Sequence, residues 1–538
     1  MKQSRKGRKT ASTLLTATLV GTMLLSACSN SGGNEKANES KGGETASVGK
    51  ASTLKVEVFD RGNSPAGSTI TNNYLTKLVQ DKFGTPNNIN VQFVPIPRSE
   101  EVQKLNVLMA SGSDVPDIVF TYDSGTFYRY AQQGGLTDLG ELLDQYGPNL
   151  KKFLGEETLA YGQYQGKQFA LPAKRSHLGK YSSFIRQDWL DKLNLPVPTT
   201  TDELYNTLKA FKEKDPGQTG GKVIPLGMAL APAQFEPLIW SFIQPVTEEQ
   251  RYTLTQQLGS NDYPVLLPGF KDALQFMNKL YNEGLMSADF SLDEDKKKLG
   301  EDAAKGLIGF YSEDDMNPFY ADGTYATLQK NIPDAKLSAI DVYTNSEGKH
   351  PKPEYAPIGM YLMIPKSSKN AVEAVKYLDW MASENNLFDM QNGVEGENYT
   401  LQNGVPIVKT DASDDVKNRI YNWGDMAIIS NGKQLGDADK NVEAYVYGMP
   451  EAYQDETRKA LSISRSDTIK PVLFDHPIEA QAKYGTALRD KLNEIIVKTT
   501  MAKPDQFEST YESVMKDYMA NGGQAILDER TKAYEAMK

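Results

Sequence analysis

The chain has one cysteine, Cys28, and its setting constrains everything that follows it. Lys2, Arg5, Lys6, Arg8 and Lys9 form a basic start, a largely apolar run extends from Ala11 to Leu25, and Leu25-Ser26-Ala27 lead into Cys28. That order reads as a secretory signal peptide over residues 1–27, and small residues before a cysteine mark a lipoprotein cleavage site. An ordinary signal peptide with an incidental cysteine is the alternative. On the lipoprotein reading, Cys28 becomes the mature N-terminus and carries thioether-linked lipid and a further acyl chain such as palmitate. A buried CH₂ supplies about 0.8 kcal/mol, and stable anchoring takes more than one chain. The expected location is the outer face of the cell membrane, reached through the lipid alone. No thiol then remains for a disulfide or a zinc-thiolate site, so the body must be held by its apolar cores.

Removing residues 1–27 takes away five basic side chains and no acidic one, which moves the net charge from −11 to −16. So acidic a surface repels nucleic acid and anionic lipid, and neither is expected as a partner. His177, His350 and His476 are the three histidines, too few for a multi-histidine metal site. No later segment reaches about eighteen consecutive apolar residues, so no second membrane span is expected.

Ser29 to Lys50 are mostly Ser, Gly, Asn, Glu and Lys. They cannot bury enough surface to offset their conformational entropy, which predicts a lipidated flexible tether over 28–53. Ordered structure is expected from Leu54-Lys55-Val56-Glu57-Val58, which alternates as a half-buried strand does. The remaining body of about 485 residues exceeds one hydrophobic core and suits two lobes. Strand-like and helical runs alternate along it, an α/β signature. Ile89 to Val94 and Asp117 to Thr121 read as strands, and Glu100 to Met109 as a helix. Trp189 to Leu193 and the run opened by Thr201-Asp202-Glu203-Leu204 also read as helices, the latter with a threonine or aspartate cap. In open α/β sheets ligands sit beyond the carboxyl ends of strands, where Tyr122-Asp123-Ser124-Gly125 falls.

Four segments follow in order: Ala110 to Phe120 with Tyr130 to Leu139; Gly166 to Pro172 with Ile185 to Leu193; Lys305 to Tyr311; and Pro357 to Lys366 with Glu373 to Met381. Together they resemble the extracellular solute-binding proteins of ABC importers, the sugar-binding family that includes maltodextrin-binding protein. Asn392-Gly393-Val394-Glu395-Gly396-Glu397-Asn398-Tyr399-Thr400 is similar to a signature of the large Gram-positive lipoprotein members. The resemblance implies a two-lobed periplasmic-binding-protein-like fold (type II) with the ligand cleft between lobes that close by a hinge. It implies a sugar ligand and permease subunits; the long lobes and several aromatic candidates suggest an oligosaccharide, the lack of a P-loop puts the ATPase on another chain, and a monomer is expected. It places crossovers near 172–180, 307–312 and 364–370. Lobe one is then 54–173 plus 311–365, and lobe two 176–307 plus 369–538.

A sugar offers hydroxyls between apolar C–H faces, so its site needs bidentate polar groups and flat rings. Aromatics are 9% of the chain, with 28 Tyr and 4 Trp, although such side chains are also ordinary core material. The family's acidic turn residue falls on Asp123, whose alternative is a turn aspartate bonding its own backbone. Asp123→Ala is expected to weaken binding and to leave stability nearly unchanged. Tyr122 and Phe127 flank it. Arg175 and His177 fall at the first crossover. Arg175 can pair with a carboxylate, so a uronate substrate would explain it, and so would a surface salt bridge. Trp240 and Trp423 are stacking candidates, whereas Trp189 and Trp380 read as core. Tyr311, Tyr361, Asn392 and Glu395 are cleft candidates from position alone.

Asp437, Asp439 and Asn441 alternate like calcium ligands, but Val442 stands where such a loop needs glycine and Gly448 where it needs glutamate. Asp289, Asp293 and Asp295 run into three lysines and read as a solvated turn. No cofactor is expected, although some large relatives bind structural calcium. A glycoside-active surface enzyme would need two carboxyls flanking a bond, and a sugar-sensing receptor component would have the same lobes. No G-x-S-x-G elbow or P-loop occurs, so the chain is expected not to be an enzyme.

Overall fold

A computed structural model describes residues 51–538 apart from Ser113, Ser260 and Asp475. Cys28, the signal peptide and the tether up to Lys50 lie outside the described residues. Strand β1 (Ser52–Asp60) opens two residues earlier than expected, because its pairing with β2 (Ile89–Pro97) begins at Ser52 opposite Ile89. The two run parallel. β3 (Val119–Thr121) joins them through Ile118, whose carbonyl accepts the Glu57 N–H at 2.9 Å. β4 (Ala170–Arg175) completes the outward run of the first sheet.

The chain then crosses at 176–180 into a second sheet. It holds β5 (Tyr181–Arg186), β6 (Ile224–Leu226), β7 (Ile308–Asp314) and β8 (Leu337–Ile340), in the order β8-β5-β7-β6. A second crossing over 344–357 returns to β9 (Ile358–Met363), and later β10 (Ser430–Asn431) ends the first sheet. Its order is β10-β4-β9-β3, continued by β1 and β2. A third crossing over 432–437 leads to the helix Ala438–Tyr447. The result is a two-lobed α/β fold.

Each lobe has its own core. The first gathers Leu54, Val56, Ile118, Phe120 and Leu362 with Leu378 and Met390 of two later helices. The second gathers Trp189, Leu208, Phe211, Trp240 and Met277 with Leu488, Leu492 and Tyr518 of the C-terminal helices. Within it Trp189 meets Phe211 edge-on at 5.2 Å. The helix Thr201–Lys214 starts where Thr200 accepts the Glu203 N–H, and its Leu204, Leu208 and Phe211 face that core.

These cores move the expected lobe borders. β7 lies between β5 and β6, so 307–312 is interior to the second sheet and is no crossing. Residues 311–340, assigned by sequence to lobe one, belong to the second sheet through β7 and β8. Residues 364–370 join β9 to the helix Ala371–Met381, which packs on the first core with the helix Glu384–Asn392. Segments 371–392 and 426–429 therefore belong with lobe one. The reason is apolar burial: Val375, Leu378, Met381 and Met390 have their partners on the first sheet.

Candidate ligand-binding site between the lobes

In the first sheet every strand except β9 points the same way, so Asp60, Thr121, Arg175 and Asn431 end at one edge. In the second sheet the carboxyl end of β7 lies beside the amino end of β5, with Asp314 opposite Tyr181. Between these edges is a cavity of about 240 Å³ lined by Arg175, His177, Lys180, Asp314, Tyr355 and Tyr445 among others. Sites that enclose drug-sized ligands run to roughly 300–1,000 Å³, so this volume suits one subsite. A larger concavity of about 570 Å³ lies between Val197–Thr199, the end of β8 and the helix Gln454–Ser464. Its charged groups are already engaged, Asp341 with Lys352, Arg458 with Glu443 and Asp455, and Lys459 with the Ser338 hydroxyl, and it draws on one sheet only.

The crossings build the cavity. Tyr355 N–H donates to the Leu178 carbonyl at 2.8 Å, which fastens the second crossing to the first. The Tyr355 ring then carries two cations, the Arg175 guanidinium 4.4 Å and the Lys180 ammonium 5.0 Å from its centroid. Arg175 Nε donates to the Ile358 carbonyl at 3.2 Å. Lys180 is 4% exposed and donates to Asn261 Oδ1 at 3.1 Å, and Asn261 in turn donates to Glu236 at 3.0 Å. Burial pushes Glu236 up to about 7 and holds both Arg175 and Lys180 below their ordinary values. Asp315 is held by Ser464 at 2.5 Å and by His177 Nε2 at 2.7 Å. Asp314 is held by Lys296 and Asn317, each at 3.1 Å.

Of the residues singled out by sequence, Arg175 and His177 line this cavity. Asp123 is exposed at the turn after β3, where its carboxylate accepts Thr126 N–H at 2.8 Å and Thr126 Oγ1 at 2.6 Å. It caps the helix Ser124–Gln132, so the expectation that it carries little stability does not fit the structure. Tyr122 is half-buried, stacked on Phe59 and covered by Arg98. Phe127 and Tyr361 are buried and stacked on each other at 4.8 Å, which spends both faces on packing. Trp240 is 1% exposed in the second core, and Tyr311 is 4% exposed within the sheet. These four present no ring to a cleft. Asn392 is buried and accepts from Lys433 at 2.9 Å, Trp423 is half-buried with Lys433 6.0 Å from its ring, and Glu395 is exposed in a loop.

Sequence reasoning missed Lys180, Asp314, Tyr355, Asn431 and Tyr445. Lys180 was within reach, since it closes the crossover that contains Arg175 and His177. Asp437 caps its helix by accepting the Asp439 and Lys440 N–H groups, which explains the alternating acids. Among the described residues no cluster of three or more His, Cys, Asp or Glu is arranged to hold a metal ion. Among them, too, no helix is long and apolar enough to cross a membrane.

Two α/β lobes with a polar, aromatic-lined cavity between opposed strand edges are the architecture of a two-lobed binding protein. The chain belongs to the bacterial extracellular solute-binding proteins, whose family pattern matches residues 66–386. It is 26% identical to lipoprotein LipO of Bacillus subtilis (strain 168), over 82% of this chain and 86% of that one. It is 24% identical to the polygalacturonan/rhamnogalacturonan-binding protein YtcQ of the same organism, over 84% and 86%. The fold matches the ABC-transporter substrate-binding protein FusA of S. pneumoniae, solved in complex with kestose. The TM-score is 0.60 at 17% identity, over 90% of this chain and 100% of that one.

Proposed function

We propose that this chain is the substrate-binding lipoprotein of an ABC importer, which captures an oligosaccharide between its lobes and delivers it to a membrane permease. The observation that carries the reading is the cavity between the sheet edges, where Tyr355 and Tyr445 offer ring surface beside forked and single-point donors. A sugar presents both faces, and such a site meets both. YtcQ is named for polysaccharide binding and FusA holds kestose, which supports a sugar here. Asp123, Tyr122 and Trp423 remain proposed as ligand contacts on the first lobe. The ATPase is a separate chain, the protein works as a monomer, and Cys28 carries the lipid that keeps it on the cell surface.

A binding role fits the cavity carboxylates better than catalysis does. Asp314 and Asp315 are both held by protein donors. Isothermal titration against a panel of oligosaccharides, with product analysis of the same mixtures, tests the reading. Heat of binding with intact sugar is expected, and released fragments with turnover would replace the reading by an enzyme. Cys28→Ala is expected to release the protein into the medium or leave it unprocessed. A processed Cys28→Ala protein still retained on the membrane would remove the lipid anchor from the reading.

A further inference from the structure

We infer that the cavity between the lobes is a carboxylate-binding subsite, so that the sugar captured is acidic, an oligosaccharide of uronate units. The inference rests on the reading of this cavity as the sugar site. Its starting point is a pair of cations without a direct carboxylate partner. The Arg175 guanidinium and the Lys180 ammonium lie on the same Tyr355 ring, 4.4 and 5.0 Å from its centroid. Among the described residues neither has a carboxylate within ion-pair distance, in a chain with 70 acidic side chains. The surface salt bridge that would otherwise explain Arg175 is therefore not made.

The acids that line the cavity do not fill the gap. Asp315 is engaged by His177 and Ser464, and Asp314 by Lys296 and Asn317. Lys180 reaches Glu236 only through Asn261, and Asp262 and Glu354 act on it through space without forming an ion pair. A buried cation is costly unless something pairs with it, so buried Lys180 beside half-buried Arg175 marks a place where an anion arrives from outside. The fork geometry says which anion. Arg175 lines the cavity and spends Nε on the Ile358 carbonyl, which leaves the two Nη groups of its planar guanidinium for a ligand. Together these present two parallel N–H groups, the match for a planar carboxylate. The Tyr355 ring, 4.4 Å from the guanidinium carbon, holds the group in place, and Lys180 adds a single-point donor to the same charge. A neutral sugar leaves both cations without a direct ion-pair partner.

The test compares three trisaccharides by isothermal titration: trigalacturonate, trimannuronate and the carboxyl-reduced form of whichever binds tighter, with CH₂OH in place of each carboxylate. Wild type is expected to bind one of the acids at least tenfold tighter than its reduced form, with an affinity that falls as salt is raised. Arg175→Gln and Lys180→Met should each lose ten- to a hundredfold on the acid and little on the reduced sugar. The salt dependence is read on wild type alone, so the inference stays exposed even where a variant folds poorly. Equal binding of acid and reduced sugar, or a preference that survives Arg175→Gln, overturns it. Binding of neutral or sulfated oligosaccharides with neither uronate also overturns it, while the reading as a sugar-binding protein stands. Absence of binding to any oligosaccharide overturns that reading too.

Discussion

Ser176 Oγ and Tyr445 Oη lie 2.8 Å apart although 269 residues separate them, and this contact locks the first interlobe crossing to the helix that follows the third. Gly432 makes the approach possible. Its φ is +93°, and a Cβ there would stand 2.0 Å from Ser176 Oγ and 2.3 Å from Tyr445 Oη. Gly432→Ala should therefore cost about 1–3 kcal/mol and weaken sugar binding with it, because the crossing must shift. Tyr445→Phe removes only the hydroxyl and should cost about 1 kcal/mol. Thermal unfolding and titration of both variants check this, and an unchanged Gly432→Ala protein would show that the crossing yields freely.

Asp123 combines a cap with a position at the strand edge. Asp123→Ala should lower stability by about 0.5–2 kcal/mol through loss of the Thr126 bonds. Asp123→Asn keeps an acceptor oxygen and should recover most of that. Chemical denaturation of the two variants measures the cap, and any additional loss in sugar affinity for Asp123→Asn reports direct contact.

The two stacking candidates should separate cleanly. Trp240 is enclosed by the second core, with Arg251 5.2 Å from its ring, so Trp240→Ala should destabilise by about 3–5 kcal/mol. The folded fraction should bind sugar as before. Trp423 is half-buried at the first lobe's surface, and Trp423→Ala should cost less stability. Paired measurements of melting temperature and affinity distinguish a packing role from a ligand platform.

Glu57 lies inside the first core, where burial pushes its carboxyl from 4.5 up to about 8. One oxygen accepts the Phe120 N–H at 3.1 Å and the other has no partner. The folded state thus holds a proton that the unfolded chain has released above about pH 4.5. This contribution is fully present below that pH and is lost as pH rises through about 8, at up to about 1.4 kcal/mol per pH unit. Glu57→Gln should remove that slope and raise stability at pH 8. Denaturation curves between pH 5 and 9 with the same slope in both proteins would show that Glu57 titrates normally.

Local pattern was legible wherever neighbours in sequence settle the structure. The alternation of Leu54, Val56 and Val58 marked β1, the apolar face of residues 100–109 marked the helix Glu101–Ser111, and Thr201-Asp202-Glu203-Leu204 marked the helix Thr201–Lys214, although its cap is Thr200, one residue earlier. Which lobe owns each element was not legible. Helices near 371–392 have the same apolar stripe whether they pack on one sheet or the other, and only the sheet they meet assigns them.

Sequence by itself determined the single lipidation candidate, the α/β alternation and two cores, because each depends on composition or short-range periodicity, while the crossover near Arg175 and His177 was implied by the family resemblance. The tertiary structure alone decided that Phe127, Tyr361 and Trp240 face inward, since an aromatic ring carries no local mark of the side on which its partners lie. It also decided that Lys180, Tyr355 and Tyr445 converge on Arg175. Their meeting depends on three separate crossings between the same two sheets, and that closure is a property of the whole chain.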